Sequence, residues 1–309
     1  MHPRLQRLLG SQGFSIGLEL PLDNDWSSNG QRLRQEDGRP FGVPDLSRHA
    51  ELARLADRSG FRALWVRDVP LYDPAFGDAA QVFEIFTYLG YLAGITDDIL
   101  LGSAAVVLPL RQPWLTLKAA ESVDALSGGR LLLGVASGDR PMEYPLFGID
   151  FAGRGQAFRD TVELLRERGR GRLPEGARLL PESAERAPLL AAGLAQQSPA
   201  WIGAQLDGWL SYPGTPEDHQ RRLARWREAA GDKPYVSFFH LDLDANPAAP
   251  LQRIRFGGRC GRLALIDELR ELQALGVQHI GLQLRHCERD LHEVIEELAE
   301  QVLPQFHSS

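Results

Sequence analysis

Residues 99–136 read ILLGSAAVVLPLRQPWLTLKAAESVDALSGGRLLLGVA. The stretch opens on an apolar, β-branched run, Ile99 to Leu108, which Pro109 cuts. Trp114 to Leu126 follows with apolar residues at helical spacing, and Ser127-Gly128-Gly129 turns the chain into a second apolar run, Arg130 to Ala136. A strand, a helix and a strand joined this closely form a unit of a parallel sheet covered on both faces.

The same rhythm extends in both directions. Strand one is Phe14 to Leu20 and strand two Arg62 to Arg67; the quoted stretch supplies strands three and four. Strand five is Pro188 to Ala192, strand six Trp209 to Tyr212, strand seven Tyr235 to Leu243 and strand eight His279 to Leu284. Asp45 is placed to cap a helix with Leu46, Leu52, Ala53, Leu55 and Ala56 on one face, ended by Gly60. Further helices are expected over about Gln81 to Gly94, over Arg154 to Arg168, after Ser198-Pro199, after the capping pair Thr215 and Asp218, around Leu265 to Leu275, and from Leu291 to Val302. Eight such units predict an α/β fold, a (β/α)8 TIM barrel that takes residues 1–309 as one domain. Two excursions interrupt it. Asp23 to Pro40, after strand one, reads as a loop, either a lid over a site or a partly mobile segment; Gly169 to Ala187, between strands four and five, reads as a surface excursion.

Composition narrows the function. A net charge of −7 argues against nucleic acid and against a polybasic membrane anchor. Met1 to Leu9 is too short for a signal-peptide core and no apolar run reaches membrane-spanning length, so a cytoplasmic protein is expected. Cys260 and Cys287 form no C-x-x-C and read as buried thiols. The only lysines, Lys118 and Lys233, lie in a helix and before strand seven, which excludes a Schiff-base barrel. The 8 histidines lack ligand spacing, so no metal is expected, and Asp23-Asn24-Asp25 has its glycine in the wrong register for a calcium loop. A glycosidase pair built from Asp139 and Asp242 is the weaker alternative. No dinucleotide or P-loop fingerprint occurs.

Barrel enzymes carry their chemistry on the loops after the strands. Here these are Glu19, Asp68, Ala104 to Val106, Ser137-Gly138-Asp139, Gly193 to Ser198, Tyr212, His240 and Arg285-His286. After strand five, Gly193 and the Ser198-Pro199 helix start offer backbone N–H groups and a hydroxyl to an anion such as phosphate; an ordinary capped helix is the plainer meaning of the same residues.

Gly102-Ser-Ala-Ala-Val-Val-Leu-Pro-Leu-Arg-Gln-Pro113 is followed by Ala125-Leu-Ser-Gly-Gly-Arg-Leu-Leu-Leu-Gly134, then Gly138, Glu143 to Gly148 and Arg154-Gly155. With Gly60-Phe61 before Trp65 and with Asp207-Gly208-Trp209, this series resembles the luciferase-like flavin-dependent oxidoreductases, most strongly over residues 45–165. The resemblance implies FMN at the carboxyl ends of the strands. It implies a cis peptide between Ala104 and Ala105 beneath the flavin ring, Ala136, Ser137 and Gly138 beside it, and Gly193, Leu194, Ala195 and Ser198 at the phosphate. Asp68 matches an acidic position near the ring. The catalytic histidine that luciferases carry next to that acid is Val69 here, which argues against aldehyde chemistry and light emission. The family's arginine after strand four falls at Ser137, with Arg140 as its substitute.

The function this implies is an FMN-dependent oxidoreductase, a monooxygenase using reduced flavin and oxygen on a small organic substrate. Asp68 and His240 are the candidates for proton handling. A separate flavin reductase and a homodimer are the partners the resemblance implies. The alternatives are a deazaflavin-dependent hydride transferase on the same barrel and a non-catalytic flavin-binding protein.

Overall fold

In the computed structural model, which describes residues 1–73, 76 and 83–307, the expected strands close on themselves. They are Ser15–Glu19, Ala63–Val66, Leu100–Ser103, Leu131–Ala136, Leu189–Ala192, Gly208–Leu210, Tyr235–Leu243 and His279–Gln283. All neighbouring pairs are parallel and in chain order, and strand eight pairs with both strand one and strand seven. This is a closed (β/α)8 barrel. Strand three resumes briefly at Val106–Val107 after the Ala104–Ala105 bend.

Interior side chains stack in layers, as alternation along inclined strands requires. The middle layer is organised by Trp65, whose ring occupies the space a Cβ would need at Gly102 and approaches closely where one would stand at Gly281. Below it, Leu5, Leu8 and Leu9 of a helix at Pro3–Leu9 close the bottom of the barrel against Leu100, Leu132, Leu190 and Val236. That plug went unread in the sequence, since three leucines within seven helical residues carry no distinctive pattern.

The Ser127-Gly128-Gly129-Arg130 turn has a clear physical role. Both glycines adopt left-handed backbone (φ +66° and +84°), which admits the tight reversal. The turn delivers the buried Arg130 guanidinium to the carbonyls of Ala93, Thr96 and Ile99. Those groups lie at or just past the end of the helix Ile85–Ile95, where carbonyls lack helical partners and a cation is favoured.

Several local expectations are corrected. The Asp23 to Pro40 segment contains a helix, Ser28–Glu36, and is not a plain loop. Ser27 caps it by accepting from Gly30 N–H, and Glu288 accepts from the N–H groups of Ser28 and Asn29. The calcium-like acids are consumed by ion pairs, Asp23 with Arg285 and Asp25 with Arg39. Asp45 caps no helix: the helix is His49–Arg58, and Asp45 accepts from Ser47 N–H in a local turn. The helix expected from Gln81 is seen over Ile85–Ile95, with Pro74 and Gln81 outside the described residues. Strand seven runs past the barrel rim and there pairs with a hairpin, Gln252–Ile254 and Gly257–Cys260, that the sequence did not announce. No helix or strand forms between Glu167 and Leu189. Among the described residues no helix is long and apolar enough to cross a membrane, and both cysteines are free and buried.

Candidate active site

The carboxyl ends of strands three, four and five finish in small side chains. Ala104, Ala136 and Ala192 are partly buried and rest on the interior cluster that includes Trp65 and Leu210, and Ala105 is 8% exposed. Methyl groups at the ends of three consecutive strands form a low floor, a surface suited to a flat ring. The Ala104–Ala105 peptide is cis, as the resemblance implied.

Two interactions hold this floor. Asp68, after strand two, accepts from Val107 N–H at 3.0 Å and takes the Arg111 guanidinium on both oxygens at 3.0 and 2.7 Å. Its carboxylate is thereby engaged from three donors, a fork geometry that fixes position strongly. On the other flank Ser137 is buried and its carbonyl accepts from the Tyr144 hydroxyl. Gly138 has φ +78°, and a Cβ there would lie 2.4 Å from the Tyr144 oxygen and 2.7 Å from Val107. Only glycine fits that crossing.

The loop after strand five turns through left-handed backbone at Gly193, Ala195 and Gln196. Gln197 ties it down, its amide donating to Gly155 and Ala195 carbonyls and its oxygen accepting from Arg159. Gly193 and Leu194 line a cavity of about 250 Å³ with Ser211, Tyr212, Arg222 and Arg225. Ser198 stands at the outer side of this loop, exposed, its hydroxyl accepting from Trp201 N–H at 3.2 Å. Arg222 and Arg225 come from the helix Pro216–Ala230, where their i, i+3 spacing sets both on one face. Sequence reading passed over them because that helix carries other arginines, Arg221 and Arg227, which look the same.

His240 lies on the opposite side of the mouth, at the level where strand seven leaves the barrel. It is 5% exposed, and burial with help from the Arg67 charge pushes its pKa down to about 3, so the ring is neutral at neutral pH. Trp26 and His286 pack on it at 5.9 and 5.7 Å between ring centres. Asp242, the weaker glycosidase candidate, accepts from Glu288 N–H and pairs loosely with Arg259 at 3.7 Å. Glu143 was not singled out. It is 2% exposed, and burial, opposed by Arg140 and reinforced by Asp68, Asp139 and Asp73, pushes its carboxyl up to about 7. No group of three or more metal-type side chains gathers among the described residues.

The family model for luciferase-like monooxygenases matches residues 25–254. The chain belongs to that family. A Mycobacterium tuberculosis protein is 26% identical over 242 residues, covering 70% of this chain and 84% of that one. The 4-hydroxyprotoasukamycin monooxygenase of Streptomyces nodosus subsp. asukaensis is 32% identical over 129 residues, 41% of this chain and 33% of the relative. Among solved structures, an F420-dependent secondary alcohol dehydrogenase superposes with a TM-score of 0.73 at 17% identity, over 96% of this chain and 99% of that one. At that identity the likeness is one of fold. This luciferase-like chain is a flavin-dependent oxidoreductase.

Proposed function

We propose that the protein is an FMN-dependent monooxygenase acting on a small organic substrate. The alanine floor over strands three to five, beside a cavity holding two arginines, carries the reading. A planar ring would rest on the small side chains of Ala104, Ala105, Ala136 and Ala192, with Ser137 and Gly138 at one edge. The phosphate end would be held by Arg222, Arg225 and the backbone of Gly193, Leu194 and Ala195, a donor set suited to an anion. Ser198 would contribute through the helix start it caps. When bound, reduced FMN supplies the electrons with which oxygen is activated for transfer to the substrate.

The chain's own residues do the rest. Asp68, locked by Arg111 and Val107, keeps the floor in place. Glu143, with a carboxyl poised near neutrality, is the group best suited to hold or release a proton, and a neutral His240 is suited to hydrogen bonding. Trp26 and the Ser28–Glu36 segment would exclude water on the strand-seven side. A separate reductase delivering the flavin, a cytoplasmic setting and a homodimer built from single-domain chains complete the proposal; sedimentation checks the dimer.

Titration of the purified protein with FMN and with the deazaflavin cofactor, each followed by its absorbance, tests the assignment. FMN should bind at least tenfold more tightly, and Arg222→Ala with Arg225→Ala should weaken it at least tenfold. Preference for the deazaflavin would move the protein to the hydride-transfer branch. Oxygen uptake with reduced FMN that rises on adding a substrate separates an enzyme from a flavin store.

A further inference from the structure

Across the mouth from the alanine floor, three adjacent strands end in polar side chains at one level. Glu19 of strand one is the register partner of Gln283 of strand eight, which is the partner of His240 of strand seven. All three are deeply buried, at 1%, 1% and 5% exposure. Glu19 Oε2, both Gln283 amide atoms and His240 Nε2 have no hydrogen-bond partner in the protein. An amide with neither end paired is rare in a protein interior, because each unpaired group keeps its full desolvation cost. The fold does not demand these residues. Alanine fills the interior positions at the carboxyl ends of strands three, four and five, namely Ala104, Ala136 and Ala192.

The electrostatics say what kind of group would suit them. Glu19 accepts from Arg67 on its other oxygen, so its charge is matched, and Asp23 matches Arg285 next to the row. An incoming ion would find no uncompensated counter-charge and would lose its hydration. The free atoms offer two acceptors, on Glu19 and Gln283, a donor, on Gln283, and His240 Nε2, which accepts or donates according to the ring's tautomer. Their complement is a group with N–H donors and a carbonyl acceptor. Trp26, His286 and Phe256, all against His240, add aromatic edges for a planar substituent. We propose that Glu19, Gln283 and His240 form a recognition site for a neutral primary carboxamide on the substrate. It rests on the reading of the alanine floor as the FMN side, which sets the substrate facing the ring. Trp26, packed with its ring centre 5.9 Å from that of His240, would turn aside to admit the substrate.

The test is calorimetric titration of the purified protein with benzamide, benzoate and benzylamine, with and without FMN. Benzamide should bind at least tenfold more tightly than either ion. Gln283→Leu should weaken benzamide at least tenfold while leaving FMN affinity unchanged, and Gln283→Glu should turn the preference toward benzylamine. Equal affinity for all three probes overturns the proposal. So does full benzamide affinity in a folded Gln283→Leu protein, or an unchanged preference in Gln283→Glu. Benzamide selectivity in a protein that does not bind FMN would overturn the monooxygenase reading and leave this site standing; FMN binding without benzamide selectivity would do the reverse.

Discussion

Strands one and eight carry two polar rows, one near the bottom of the barrel and one at its mouth, where strand seven adds His240, and the two are built on opposite principles. In the lower row Ser15 and His279 are register partners. Trp65 Nε1–H donates to His279 Nε2 at 2.9 Å, and an indole can only donate, so that nitrogen accepts. His279 therefore carries its proton on Nδ1 and donates to Ser15, whose hydroxyl donates to the Leu8 carbonyl of the bottom plug at 2.5 Å. Every group is used. In the upper row, four residues further along strands one and eight, Glu19, Gln283 and His240 leave atoms unpaired. Equal burial with unequal satisfaction separates residues kept for folding from residues kept for a ligand.

Acid should break both rows and gives the largest expected effect. Burial lowers His279 and His240 to about 3 and His219 to about 4, so each is neutral in the folded protein. Unfolded histidines protonate below about 6.5, hence the unfolded state binds more protons between that pH and the folded values. Stability is complete above about pH 6.5 and is lost as pH falls, by about 2 kcal/mol per buried histidine at pH 5. Three of them together approach the whole stability of an ordinary domain, ~5–15 kcal/mol. Urea midpoints measured from pH 8 to pH 4 should fall steeply below 6.5; a flat profile would mean that these rings are not held neutral.

His279→Leu breaks the lower row alone. It strands the Trp65 N–H and removes the Ser15 partner, so a loss of ~2–4 kcal/mol is expected, read as a lower urea midpoint with unchanged slope. Gln283→Leu in the upper row should act with the opposite sign. An apolar side chain there removes two unpaired buried groups, and the protein should become more stable by ~1–2 kcal/mol. Equal destabilisation by both changes would erase the distinction between the rows. Glu143→Gln offers a pH-resolved version of the same test. The folded carboxyl, raised to about 7, favours the native state below about 4.5 and loses that advantage as pH rises to 7. The variant should therefore gain melting temperature relative to the parent at pH 8 but not at pH 4.5.

Much of this was legible in the sequence, for reasons of periodicity. Eight buried parallel strands are continuous apolar runs, and Gly128-Gly129 and Gly138 mark places where backbone must bend or approach. The positions of Asp68, Ala104-Ala105 and Ser137 at one mouth follow from strand ends alone. Pairing was not legible. That Asp68 would be taken by Arg111, 43 residues away, depends on how two loops meet. Glu143 sits in a turn-rich stretch where an acid is usually solvated, and its burial is a tertiary effect. Glu19 was visible as a strand-end residue and Gln283 only as part of the run expected for strand eight, and register alone shows that they stand side by side with His240.

The smallest effect concerns Ser198, where sequence reading joined two roles that can be pulled apart. Its hydroxyl accepts from Trp201 N–H, so it belongs with the satisfied groups of the lower row. Ser198→Ala should then cost ~1 kcal/mol of stability through the lost cap. If the hydroxyl also reaches the FMN phosphate, affinity should fall about fivefold, the equivalent of ~1 kcal/mol for a hydrogen bond to a charged group. Paired measurement on one preparation, thermal melting without FMN and fluorescence titration with it, separates the two. A lower melting point with unchanged affinity confines Ser198 to capping and leaves the anion to Arg222, Arg225 and the Gly193–Ala195 backbone. Weaker FMN binding with an unchanged melting point would place the hydroxyl on the phosphate and move Ser198 into the same class as Gln283, a group held for its ligand.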